Sequence, residues 1–170
     1  MRTIDEHVAH APADVCFQVA ADVERWPEIL SHYRRVRFLR RDGFGEGLVE
    51  MAAWRPLGPV GWPTWWISEM RHDRTARTIA YQHVYGITRG MDVLWEVMPM
   101  SDVRTHIRIL HEWRGPAWPL IGGLAADVVI GPHFVKAIAG RTLAGVAREA
   151  ERRAAADAAH ADTRWHAGGV

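Results

Sequence analysis

The feature that most constrains this chain is a change of period. From Val36 to Trp113 apolar residues recur at every second position in segments separated by polar residues, Gly or Pro, as in half-buried strands. Past Ala117 the step becomes three and four: Leu120, Leu124 and Val128, then Val135, Ile138, Ala139, Thr142, Leu143, Val146 and Ala150. That pattern predicts a long amphipathic helix from about 117 to 153, bent near Gly131-Pro132 because proline lacks an amide proton. Six strands are expected at about 36–42, 48–55, 62–71, 76–85, 91–98 and 103–113. An earlier strand, Thr3 to His10, precedes two short helices, one from Asp14 and one at Trp26-Pro27. Short turns between consecutive strands favour an antiparallel meander, and the terminal helix must bury its stripe against it. The expected class is α+β: a curved antiparallel sheet around a long C-terminal helix.

Alternation also predicts which residues face that helix. In 62–71 the inward set is Trp62, Thr64, Trp66, Ser68 and Met70. In 76–85 it is Arg77, Ile79, Tyr81, His83 and Tyr85. In 91–98 it is Met91, Val93, Trp95 and Val97, and in 103–113 Val103, Thr105, Ile107, Ile109, His111 and Trp113. Several strands thus bring Trp, together with Ser, His or Tyr, to one face. A pure packing core favours aliphatics, since each buried polar atom without a partner costs roughly 1–3 kcal/mol. Apolar walls with a few polar groups are the composition of a small-molecule pocket. Nine tryptophans against three tyrosines and four phenylalanines in 170 residues strengthen that reading.

Other features narrow the function. A formal net charge of +1 gives no strong bias toward nucleic acid or an anionic membrane. The single Cys16 cannot form an intrachain disulfide and suits a reducing compartment. No apolar core of a signal peptide opens the sequence, and Ala117 to Gly131 is too short to span a bilayer, so a cytoplasmic location is expected. The ten histidines show no paired metal-ligand spacing, so no metal is expected. Gly43-x-Gly45-x-Gly47 reads as a hairpin turn. Arg34, Arg35, Arg37, Arg40 and Arg41 form a basic strand, read as a solvated face that could also dock an acidic carrier protein. Beyond Arg153 the Ala-, Asp- and His-rich tail offers little to bury, and 154–170 is expected to be disordered, leaving 1–153 as the domain.

The segments Ala11-Pro12-Ala13-Asp14-Val15, Asp22 through Glu28, Ser31-His32-Tyr33 and Leu39 through Gly43 resemble the opening of bacterial polyketide aromatase/cyclases of the START-like (SRPBCC, pollen-allergen-like) superfamily. Trp66-Ile67-Ser68, Asp73, Arg77-Thr78, His83-Val84, Met91 and Trp95 continue the likeness, which covers about 3–150. The resemblance implies a helix-grip fold whose interior cavity folds a poly-β-ketone chain for aldol closure and dehydration, without a cofactor. Tyr33 matches a tyrosine with an acid/base role there, and Trp66, Ser68 and Trp95 match cavity positions. Met70 stands where those enzymes carry a catalytic arginine, and His83 where a second pocket arginine is common. Enolate formation needs a fixed cation or donor set, which Met70 does not supply. The candidate catalytic residues are therefore Tyr33, His83, His111 and Ser68, and the candidate ligand-binding residues Trp66, Met70, Tyr81, Met91, Trp95 and Trp113. The expected partners are a hydrophobic small molecule and an acyl carrier protein. Two functions compete: a polyketide cyclase, or a non-catalytic carrier or sensor of a lipid, quinone or aromatic molecule.

Overall fold

A computed structural model describes residues 1–43, 45–57, 60–115 and 132–167, with side chains of 55–57, 60–62, 132–135 and 161–167 left aside. The strands are β1 (Arg2–Ala9), β2 (Tyr33–Gly43), β3 (Glu46–Leu57), β4 (Val60–Asp73), β5 (Thr78–Gly86), β6 (Asp92–Ser101) and β7 (Arg104–Glu112). The helices are α1 (Ala13–Ala21), α2 (Trp26–Ile29) and α3 (Pro132–Ala167), with a 3-10 turn at Val23–Arg25. Every neighbouring pair of strands is antiparallel, in the order β1-β7-β6-β5-β4-β3-β2. This is the helix-grip arrangement: α3 packs along β1 and against α1, across the concave face.

The core sits between that face and α3. From the helix come Ala139, Leu143, Val146, Ala147 and Ala150, all nearly solvent-free. Small residues let the helix lie close. At Gly145 a Cβ would stand 2.1 Å from Leu30 Cδ2, so the end of α2 presses against a helix that has no side chain there. Pro27 occupies the first turn of α2, where its missing N–H costs no helical bond.

Most of the predicted inward faces are buried: Thr64, Trp66, Ser68 and Met70 on β4, Met91, Val93, Trp95 and Val97 around β6, and Thr105, Ile107, Ile109 and His111 on β7. Arg77 lies in the turn before β5, half-buried and paired with Asp14. The Trp62 side chain lies outside the described residues, and two further positions are exposed. Tyr85 is 58 % exposed although Ile79, Tyr81 and His83 face inward. Ser68 pairs with His83 while Ile67 pairs with Tyr85, so β5 carries one extra residue there and this bulge turns Tyr85 to the outer face. Val103 is 64 % exposed because it lies in the β6–β7 turn and not on the strand.

The basic strand is solvated as expected. Register shifts between Tyr33/Arg35 and Phe38/Arg40 let adjacent arginines all point away from the core. Arg35 and Arg37 bridge Glu50, and Arg41 bridges Glu24.

The helix also continues through Ala167, where composition predicts a disordered tail after Arg153. Alanine forms helix without needing a partner surface, and Ala158, Ala159 and His160 are exposed on it. The predicted helical stretch 117–131 and its bend lie outside the described residues.

Candidate functional site

Seventeen described residues line a cavity of about 90 Å³ between β-sheet and helix. That is roughly the space of three waters and well below the 300–1,000 Å³ of sites that hold drug-sized ligands.

The floor is aromatic. Trp26 meets Tyr33 edge-on at 5.0 Å and Trp95 at 5.7 Å. Tyr33 in turn meets Trp66 at 6.2 Å, and Trp66 stacks on His83 at 5.8 Å with the planes 21° apart. Met51, Met91, Val93, Ile109, Ile138 and Ala139 complete the apolar lining. Ile87 and Thr88 from the β5–β6 turn close one side. Trp113 holds that turn from behind, its indole N–H donating to the Arg89 carbonyl at 2.9 Å.

Polar groups enter from four directions. His83 Nδ1 lies 2.6 Å from the Thr88 hydroxyl, and its backbone is pinned to Met91 and Gly90. Among the described residues its Nε2 has no hydrogen-bond partner. His111 Nδ1 approaches Thr3 Oγ1 at 3.4 Å. The Tyr81 hydroxyl is buried with no partner, in a residue that lines the cavity. On the helix, the Thr142 hydroxyl donates to the Ile138 carbonyl at 2.9 Å, so it must accept from His32 Nε2–H at 2.9 Å.

Burial sets the charge state. Desolvation lowers His83 to about 3, with His111 nearby adding to the effect, and lowers His111 to about 4. His32 falls to about 4 through burial and the charge of Arg141. Burial raises the Tyr33 phenol far above its usual range, partly offset by the Thr142 hydroxyl beside it. Tyr81 is raised by burial and by its proximity to Tyr33. At neutral pH the described lining carries no formal charge.

The structure thus brings together Tyr33, His83, His111, Trp66, Tyr81, Met91 and Trp95. It leaves three sequence candidates outside the lining. Ser68 is fully buried two residues along β4 from Trp66, its Oγ without a partner. Met70 is buried beyond it, paired across the sheet with Gly47 and Tyr81. Trp113 braces the turn from outside. All three face inward as alternation requires, but at places where other side chains, not the cavity, lie opposite. Arg71 points outward, 80 % exposed, toward Glu69 at 3.8 Å, and cannot replace the missing cation. Thr64, Thr88, Thr142 and Trp26 were not among the sequence candidates. Thr142 sits on the helix stripe and is read from periodicity as packing; no local signal marks it as polar lining.

Fold and cavity define a helix-grip protein with an apolar interior site. Comparison with known proteins makes this specific: residues 9–131 match the family described as polyketide cyclase/dehydrase and lipid transport, and the chain belongs to that family. A Streptomyces halstedii protein provisionally named a polyketide cyclase is 31% identical over 94 residues, 55% of this chain and 84% of that one. Among solved structures, the Zhui aromatase/cyclase from Streptomyces sp. R1128 superposes with a TM-score of 0.76 at 23% identity, covering 90% of this chain and 94% of the other. A START superfamily protein from Mycobacterium smegmatis gives 0.65 at 15% identity, covering 90% and 96%. At these identities the structural matches speak for the fold.

Proposed function

We propose that this protein binds a polyketide-type or ring-bearing hydrophobic molecule in the interior cavity and promotes its aldol cyclisation and dehydration. The observation that carries this reading is the convergence of Tyr33, Tyr81, His83 and His111 on one uncharged, apolar space. In aldol closure a neutral imidazole, His83 or His111, takes a proton from the carbon between two carbonyls, and the resulting enolate carbon attacks a second carbonyl. The new alkoxide takes a proton from Tyr33, and the imidazolium returns its proton to the Tyr33 oxygen before water is lost. A cavity with no cation stabilises the oxygens of these species through neutral donors. A neutral imidazole N–H can polarise a carbonyl, and phenolic O–H groups can do the same.

The shifted pKa values set the division of labour. An imidazole that titrates at about 3 or 4 is a weak base at neutrality. Catalysis then rests on folding the chain into a reactive geometry and on hydrogen bonds to developing oxyanions, with Tyr33 as the proton donor. Exposed arginines on β2 would serve docking of an acidic acyl carrier protein.

Reconstitution with a poly-β-ketone-producing synthase tests this. Product profiles should change when the protein is added, and Tyr33→Phe should remove that change while leaving ligand affinity within a few-fold. An identical product spectrum with and without the protein would refute cyclisation. A second reading, a carrier or sensor without chemistry, is favoured by one observation: Met70 replaces the expected cation and nothing charged takes over its place in the described lining. It predicts a copurified small molecule in native mass spectrometry and no effect on products.

A further inference from the structure

The hairpin of β3 and β4 outgrows the sheet. β2 pairs no further than Tyr33↔Ala53 and β5 no further than Trp66↔Gly86, yet β3 and β4 continue pairing from Trp54↔Pro63 to Leu57↔Val60. Trp54 N–H still donates to the His32 carbonyl, so the last three residue pairs, at about 3.3 Å each, extend this two-stranded ribbon roughly 10 Å beyond its neighbours. An isolated two-stranded ribbon is marginal in water, and this one is unusually apolar. From Met51 to Ser68 the sequence holds four tryptophans, one arginine and no carboxylate.

Trp54 and Trp65 flank the base of the ribbon, 44 % and 52 % exposed. The Arg34 guanidinium lies over the Trp54 ring at 4.6 Å. On β5 the bulge places Tyr85 on the outer face, with Arg89 6.0 Å from its ring centre. Neither arginine is paired with a carboxylate among the described residues, whereas Glu50, further down β3, is held by Arg35 and Arg37. The strand edges of the ribbon carry Pro56 and Pro63, which cannot donate to an added strand. That argues against a partner that extends the sheet.

We propose that this outer face of the molecule, centred on Trp54 and Trp65 with Arg34 over Trp54 and Arg89 beside Tyr85, docks on a lipid bilayer carrying anionic headgroups. Tryptophan and tyrosine settle at the headgroup level because the ring is apolar and its N–H or O–H polar. Unpaired arginines add attraction to anionic headgroups. The ribbon is long enough to reach the 5–10 Å depth at which interfacial segments sit. Among the described residues no helix is long and apolar enough to cross a membrane, so the contact is peripheral. Thr64 and Trp66, on either side of Trp65, face the cavity. Trp65 lies on the opposite face of β4, so the sheet stands between the docked surface and the interior site. The inference stands apart from whether the cavity performs chemistry.

Flotation of the whole protein with phosphatidylcholine vesicles, with and without phosphatidylglycerol, tests it, together with quenching of Trp emission by brominated phosphatidylcholine. Binding should require phosphatidylglycerol and weaken with added salt. Trp54→Ser combined with Trp65→Ser should weaken it about tenfold or more, and Arg34→Glu roughly tenfold. Quenching of wild-type emission reports insertion without relying on any variant, and far-ultraviolet circular dichroism verifies that the variants fold. No flotation with either vesicle, or equal flotation of the double variant, would overturn the proposal. So would wild-type self-association that the double variant abolishes, since the ribbon would then serve a second copy of the chain.

Discussion

The two ends of the concave face of β4 are built from the same alternating residues and do opposite things. At one end Thr64 and Trp66 border empty space. Two and four residues further on, Ser68 and Met70 face the same way and are packed solid. What distinguishes them is the surface opposite. Near Trp66 stand Tyr33, the β5–β6 turn and the Thr142 side of α3, whose rings and hydroxyls fit together with a gap. Opposite Ser68 and Met70 the neighbouring strands supply Val49, Gly47 and Tyr81. A strand's alternation decides which side chains go inside; elements distant in sequence decide whether they meet one another or a guest.

This contrast can be broken most forcefully at Tyr33. If the open end is where chemistry occurs, Tyr33→Phe should lower product formation by about 10²–10⁴, read by product profiling with the synthase, while thermal unfolding changes little. Retained activity would move the proton donor elsewhere. At the packed end, Met70→Arg, which restores the aromatase/cyclase residue, should not create a catalyst. It should destabilise the fold by roughly 3–5 kcal/mol because the charge has no partner there. Denaturant unfolding decides this, and a stable, more active variant would mean that the cavity extends to Met70 once a ligand is bound.

Acid should act on the open end as well. His32, His83 and His111 have folded-state pKa values of about 4, 3 and 4, below the ordinary value near 6.5. Between these limits the unfolded chain binds protons that the folded chain refuses. Stability is therefore full above about pH 6.5 and is lost as pH falls toward the folded values. Each histidine should cost roughly 1–2 kcal/mol between about pH 7 and about pH 5, seen as a falling urea midpoint, and His83→Gln should make the decline shallower. The smallest effect is expected on the outer face of the same strand. Trp65→Ser should shift unfolding by no more than about 0.5 kcal/mol, since the ring is half in water.

Much of this was legible in the residues. The switch from period two to period three-and-four located the sheet and the helix, and alternation identified Trp66, Tyr81, His83, Trp95 and His111 as inward. Tyr85 was misread because a bulge is a property of two paired strands and leaves no mark on one. Ser68, Met70 and Trp113 face inward yet lie outside the described lining, because inward and cavity-lining are different statements. Thr142 was underread because its partner, His32, is 110 positions away. The helical course of 154–167 was missed because intrinsic preference, not burial, sustains it.

Gly145 adds a mechanical consequence. With Leu30 pressed where a side chain would otherwise be, the helix and the floor behind Trp26 cannot separate or roll without breaking a contact that leaves no slack. On the far side of the cavity, Ile87 and Thr88 sit on a short reverse turn fastened by the Trp113 indole. Swapping Gly145 for alanine would set a methyl group against the end of the Leu30 side chain, which must then shift for the helix to keep its seat.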